Sequence, residues 1–170
     1  QSKITSRTKA ILVVHFFGAP ANMDAIMKIA KKHNLKVIED GAQSPGVFYR
    51  GKPVGAIGDF GGFSLNFHKH IHTGEGGMLV TNDDNIAFKA QLIRNHGENS
   101  ADQLPKDQLS NIIGSNYRLT ELQSAIGIEQ LKRLPGILKH RHQLVNYIRK
   151  ELEQFSFLSI PLKEEENSNH

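Results

Sequence analysis

The chain has 170 residues, 38% of them hydrophobic and 22% charged, with 21 basic and 17 acidic side chains and a net charge of +4. That size and composition fit one compact globular unit with a sizeable core, and the absence of cysteine excludes disulfides and thiolate metal sites. The basic residues are scattered rather than blocked with aromatics, which argues against nucleic acid; no apolar run is long enough to span a bilayer, and QSKITSRTKA has no signal-peptide core.

The first element is AILVVHFF (Ala10–Phe17), a continuous apolar run that reads as a strand buried on both faces. GAP makes a turn, and Ala21 or Asn22 opens a helix. Met23, Ile26, Met27 and Ile29–Ala30 form its apolar stripe, and His33-Asn34 closes it. LKVIED (Leu35–Asp40) is the next strand, which completes a parallel βαβ unit. The Gly- and Pro-rich stretch that follows reads as loop or hairpin, with a tight turn at Tyr49-Arg50-Gly51-Lys52. DFGGFSL (Asp59–Leu65) and GGMLVTND (Gly76–Asp83) are further strands. Asn82 or Asp83 caps a helix that runs to about Asn95. A long irregular connection then leads to a helical pattern from Thr120, carried by Leu122, Ala125, Ile126, Ile128, Leu131 and Leu134. Pro135-Gly136 is expected to interrupt or bend it. A second amphipathic stretch, Ile137 to Phe155, puts Leu138, Leu144, Val145, Ile148 and Leu152 inside, and the KEEEN run reads as a solvated tail. The fold class is α/β, a mostly parallel sheet flanked by helices with a helical C-terminal third.

Ligands in open α/β sheets sit beyond the carboxyl ends of the strands. Asp40 lies at one such end, and Ser64 and Lys69 at another. An aldehyde cofactor such as pyridoxal phosphate needs three things there: a lysine amine to form an imine, a carboxylate facing the pyridine nitrogen, and donors for the phosphate. Lys69, Asp40 and Ser64 are the right types. Each also has an ordinary reading taken alone: a solvated lysine, a loop cap and a backbone-bonded hydroxyl.

Four segments in order carry a resemblance: TKAILVVHFFGAPANMDAI, LKVIEDGAQSPGVFYRGKPVGAIGDFGGFSL, KHIHTGEGGMLVTND and NYRLTELQSAIGIEQL. Together they cover most of the chain. In them, and in the spacing of Asp40, Ser64 and Lys69, the sequence resembles the DegT/DnrJ/EryC1/StrS sugar aminotransferases, pyridoxal-phosphate enzymes of the aspartate aminotransferase fold type I. The resemblance implies that residues 1–134 are part of the large cofactor-binding domain and that 135–170 begin a small C-terminal domain. It implies that Lys69 forms the imine and moves protons, that Asp40 pairs with the pyridine nitrogen, and that Ser64 binds the phosphate. Gln43 would sit by the ring and its phenolic oxygen, and Ala42 under the ring, where only a small side chain leaves room. Asn116 would reach the phosphate in a neighbouring subunit, which makes a homodimer part of the site. The implied activity is transfer of an amino group from glutamate or glutamine to a nucleotide-linked keto-sugar, in the cytoplasm. Since the family extends beyond both ends of this sequence, the chain is expected to be a central piece with little activity alone.

Other readings compete. His68, His70 and His72 at alternate positions would share one face of a straight strand and could ligate a metal, but the glycine-rich context favours a bending loop with pocket-lining histidines and no metal. Some family members carry histidine in place of the lysine and are sugar dehydratases; Lys69 at the matching position favours transamination. A non-catalytic or metal-binding scaffold is the alternative from a different class. Gly74, Gly76 and Gly77 read as backbone punctuation rather than a phosphate loop. His15, at the end of the first strand, is expected to be packed and hydrogen-bonded, with substrate contact as its alternative. Arg94 reads as structural, and Arg118 as ordering the ground around Asn116.

Overall fold

The computed structural model describes residues 1–98 and 112–158. Strand β1 (Ala10–Val14) pairs in parallel with β2 (Lys36–Asp40), in a register that runs from Ala10 opposite Lys36 to Val14 opposite Asp40. The crossover is helix α1 (Met23–His33). Asn22 caps it by accepting the Ala25 N–H at 3.0 Å. Asn34 ends it in the left-handed region, at φ 52° and ψ 47°, a conformation asparagine tolerates better than most residues. Met23, Ile26, Met27 and Ala30 pack on Val13 and Val37 of the sheet. A short hairpin follows, β3 (Phe48–Tyr49) with β4 (Lys52–Pro53), and its two turn residues, Arg50 and Gly51, both have positive φ. Strand β5 (Phe60–Ser64) joins β2 in parallel, and β6 (Gly77–Val80) returns antiparallel at the edge, giving the order β1-β2-β5-β6. Asp83 caps helix α2 (Asp84–Arg94), accepting from Asn85 and Ile86.

The first apolar run behaves differently from its reading as one strand buried on both faces. The strand stops at Val14, and Phe16–Gly18 forms a 3-10 turn. Helix α1 covers the face that carries Ile11 and Val13. On the other face Leu12 is 63% exposed and Val14 40%. Apolar residues on both faces announce a two-layer cover, but the described residues supply only one layer.

Helix α3 (Glu121–Leu152) is a single element of 32 residues. It begins with a capping box in which Thr120 and Gln123 satisfy each other's backbone N–H. Pro135 lies inside it, so the expected interruption is absent. Proline lacks the N–H that would bond the Leu131 carbonyl, at a typical cost of ~3 kcal/mol. Packing on both sides of Pro135 holds the helix together: Leu134, Ile137 and Leu138 sit against Leu65 and Ile71. Among the described residues, the buried apolar contact of the helix is confined to that short stretch. Leu122, Ile126, Ile128, Leu131, Leu144 and Ile148 are exposed, contrary to their reading as inward-facing, because the described part of the sheet is too small to reach along so long a helix. Residues 99–111 of the long connection and the KEEEN run lie outside the described residues.

Leu134 is the anchor of that contact, buried to 8% exposure. Leu134→Ala should therefore lower unfolding free energy by about 2–4 kcal/mol in urea titrations, whereas Leu144→Ala should change it by less than about 0.5 kcal/mol.

Candidate active site

The carboxyl ends of three parallel strands lie side by side, with Val14 opposite Asp40 and Asp40 opposite Gly62. Paired residues share a sheet face, and Ser64 falls on that same face two positions beyond Gly62. Asp40 Oδ1 accepts the Ala42 N–H at 2.9 Å, which folds the chain back just past the strand. The other carboxylate oxygen has no hydrogen-bond partner among the described residues. A Cβ placed on Gly62 would meet nothing within 4 Å, so an open shelf separates Asp40 from Ser64. Ser64 Oγ accepts the Asn66 N–H at 3.3 Å and keeps its own proton to donate.

Beyond Ser64 the chain bends tightly. Asn66 organises the bend: its carbonyl accepts the Lys69 N–H at 2.9 Å, its Oδ1 the His68 N–H at 3.1 Å, and its Nδ2 donates to Glu75 at 2.7 Å. Leu65 and Ile71 are buried beneath it. Leu65 bonds Gly76 and Thr73 through its backbone, and Gln123 of α3 donates to the Glu75 carbonyl at 3.0 Å. Lys69 is thus presented from the tip of a turn fastened to both β6 and α3. Lys69 lines a cavity of about 400 Å³ together with Gln43, Phe17 and His70 and with Arg141 and Arg149 of α3. Burial pushes the His70 imidazole below its usual value, and the positive charges of Arg141 and Lys69 lower it further, so His70 is neutral at pH 7.

The structure therefore brings Gln43 and Lys69 to one cavity, and Asp40 and Ser64 to one shelf at the same end of the sheet. Ala42 is half-buried between Asp40 and Gln43. Asn116 lies elsewhere: it is exposed, bridges to Asn95, and accepts the Arg118 N–H at 3.3 Å. Arg118 also donates to Asn95 at 2.6 Å, so its side chain orders this corner, while Arg94 contributes its backbone carbonyl, which accepts from Tyr117 at 3.0 Å. His68 and His70 line the cavity, while His72 Nδ1 accepts the Gly74 N–H at 3.4 Å. No three histidine or acidic side chains converge in metal-binding geometry among the described residues.

One group escaped the sequence reading. Glu39, one residue before Asp40, is fully buried. Its Oε1 accepts from Ile57 at 2.7 Å and Gly58 at 2.6 Å; its Oε2 accepts from Gly55 at 2.8 Å and His15 Nε2 at 2.9 Å. The legible signal was an acid alternating with the core residue Val37 on the helix-covered face of β2. Burial by itself would raise this carboxyl, but the hydrogen bonds from His15, Gly58, Gly55 and Ile57 outweigh it and hold the group below its ordinary value of 4.5.

The described fold is α/β with a mostly parallel sheet, an aspartate at the carboxyl end of β2 and a lysine just past the end of β5. The chain belongs to the DegT/DnrJ/EryC1/StrS aminotransferase family, whose model matches residues 1–170. It is 44% identical over 154 residues to GDP-perosamine synthase of Caulobacter vibrioides, covering 89% of this chain and 40% of that protein. Among solved structures it is similar to Helicobacter pylori PseC, an aminotransferase involved in the biosynthesis of pseudoaminic acid, at TM-score 0.86 and 34% identity, over 99% of this chain and 45% of that one. It is also similar to the E. coli GDP-4-keto-6-deoxy-D-mannose-3-dehydratase with bound hydrated PLP, at TM-score 0.83 and 33% identity, over 99% of this chain and 46% of that one. The fold is thus that of the fold type I aminotransferases, as the sequence resemblance implied. The chain spans less than half the length of the curated relatives it matches.

Since the folded carboxyl of Glu39 binds its proton less readily than the unfolded one, its stabilisation is complete above pH 4.5 and fades as pH falls through the lowered folded value. Acid titration followed by circular dichroism should show that loss. Glu39→Gln would turn an amide donor toward two of the four converging donors and should cost about 3–5 kcal/mol at neutral pH.

Proposed function

We propose that the protein carrying this chain is a pyridoxal-phosphate-dependent aminotransferase that moves an amino group from glutamate or glutamine onto a nucleotide-linked keto-sugar. The observation that carries the reading is the open shelf over Gly62, with a half-unpaired carboxylate on Asp40, the Ser64 hydroxyl beside it, and Lys69 and Gln43 at the adjoining cavity. Those donors and acceptors fit the cofactor's three polar ends. When bound, pyridoxal phosphate supplies an aldehyde and an electron-accepting ring.

The chain's own groups divide the work. The free oxygen of Asp40 would accept a hydrogen bond from the protonated ring nitrogen and so keep it charged. Ser64 donates its hydroxyl proton to the phosphate. Gln43 Oε1 already accepts the Phe17 N–H at 2.8 Å, which leaves its Nε2 as the donor for the ring's phenolic oxygen. Ala42, without a longer side chain, leaves room beneath the ring. Lys69 Nζ would hold the cofactor and would carry a proton between the substrate carbon and the cofactor carbon. Arg141 and Lys69 make the cavity positive, which suits an anionic substrate. Asn116, exposed and away from the cavity, completes the phosphate site of a second subunit in a homodimer. The residues from 135 onward lead into a second domain. The cytoplasm is the proposed compartment, and the 170-residue chain alone is expected to hold the cofactor weakly.

A dehydratase acting on the same class of sugar is the second reading, favoured by the likeness to the E. coli dehydratase. Lysine rather than histidine at position 69 favours amine transfer.

The test is the full-length protein incubated with pyridoxal phosphate, glutamate and nucleotide keto-sugars. The expected result is a lysine-bound absorbance band and an amino-sugar product. Lys69→Ala should remove the band and lower the rate at least about 10²-fold. A product that has lost a hydroxyl and gained no amine would select the dehydratase, and full-length protein that never takes up the cofactor would overturn both.

A further inference from the structure

His15 is fully buried at the end of β1, and its two ring nitrogens meet different partners. Nδ1 lies 3.2 Å from the backbone nitrogen of Ala21, which has a single proton to give, so Nδ1 is the bare acceptor. The ring proton therefore sits on Nε2, 2.9 Å from Glu39 Oε2. That oxygen is itself fixed by the Gly55 N–H. The ring is the neutral Nε2–H tautomer, oriented by the carboxylate. The backbone of His15 is held as well, its N–H by the Asp40 carbonyl at 3.1 Å and its carbonyl by Ser44 Oγ at 2.6 Å.

Between His15 and Ala21 the chain makes a turn that needs holding. Phe17 has φ 52° and ψ 32°, a costly conformation for an aromatic residue, and its side chain is 71% exposed, so packing does little to compensate. Besides the Ala19 N–H to Phe16 carbonyl bond within it, two bonds to side chains fasten the turn: Ala21 N–H to the His15 ring, and Phe17 N–H to Gln43 Oε1. Phe17, Gly18 and Gln43 all line the Lys69 cavity.

We propose that His15 is a positioning residue: its neutral ring, aimed by Glu39, anchors the turn from Phe16 to Ala21 and so sets where Phe17 and Gln43 stand at the Lys69 cavity. The anchoring is independent of which ligand fills the cavity; its effect on pyridoxal phosphate rests on the function proposed above.

Two substitutions divide the ring's two roles. Asparagine places an acceptor near the position of Nδ1 and falls short of Glu39. Glutamine reaches Glu39 with a donor and leaves the Nδ1 position empty. In the full-length protein, His15→Gln should speed amide exchange of residues 16–21 about tenfold while residues 55–58 keep their rate, and His15→Asn should speed 16–21 less. His15→Gln should also weaken uptake of pyridoxal phosphate several-fold. Unchanged exchange of 16–21 in both variants, or an equal rise throughout the chain, would overturn the proposal. If neither variant folds, nitrogen-15 spectra of the unsubstituted protein with labelled histidine decide: a neutral Nε2–H ring supports the anchoring, and an imidazolium or an Nδ1–H ring sinks it. Unsubstituted protein that ignores pyridoxal phosphate while the exchange pattern holds would refute the cofactor reading and leave the anchoring standing.

Discussion

The carboxylate of Glu39 is the constraint on which the site end of the sheet depends. It is closed off from solvent and receives four donors, three from the backbone of residues 55–58 and one from His15. Those donors come from segments far apart in sequence, and they add to the backbone bonds His15 N–H to Asp40 carbonyl and Asp59 N–H to Val37 carbonyl that also tie these segments to β2. A buried carboxylate is costly unless its lone pairs are filled, and here two oxygens take two donors each. The arrangement locks the loop before β5 and the exit of β1 to the same strand. Asp40, the next residue on that strand, faces the opposite side of the sheet. The acid on one face is structural and its neighbour on the other is available for chemistry.

The site itself is built from backbone economy. Gly62 gives a flat floor because a side chain there would project into the shelf between Asp40 and Ser64. Gly61, its neighbour, is glycine for a different reason: a Cβ would collide with the Gly55 carbonyl oxygen, inside the loop that Glu39 holds. The pair of glycines in DFGGFSL therefore serves both faces, close packing on one and open space on the other. Lys69 is fixed less by its own strand than by the Asn66 bend and by the bond from Gln123 at the start of α3. That bond makes the long helix part of the site's scaffold, and Arg141 brings its charge to the cavity from the same helix.

Much of this architecture is legible in the chain. The βαβ unit, the Asn34 stop, the Arg50-Gly51 turn and the Asp83 cap each follow from residues whose local preferences agree with their neighbours. The errors have one origin. Leu144 and Ile148 recur with helical spacing and look like core, and AILVV looks buried on two sides, because periodicity records which surface a residue prefers, not whether a partner surface lies within reach. Pro135 looks like a break because its local cost is visible, while the contacts of Leu134, Ile137 and Leu138 that offset it are not.

By itself the sequence determined the α/β class and the order of elements, and it put an acid, a hydroxyl and a lysine at or just past strand ends, because caps, turns and strand patterning act over a few residues. The tertiary structure decided which acid is structural and which is free, where the histidine's proton sits, and that Gln43 and Lys69 face one cavity while Asn116 does not. Those facts turn on hydrogen bonds between residues up to dozens of positions apart, and only the packed chain brings such donors and acceptors within reach of each other.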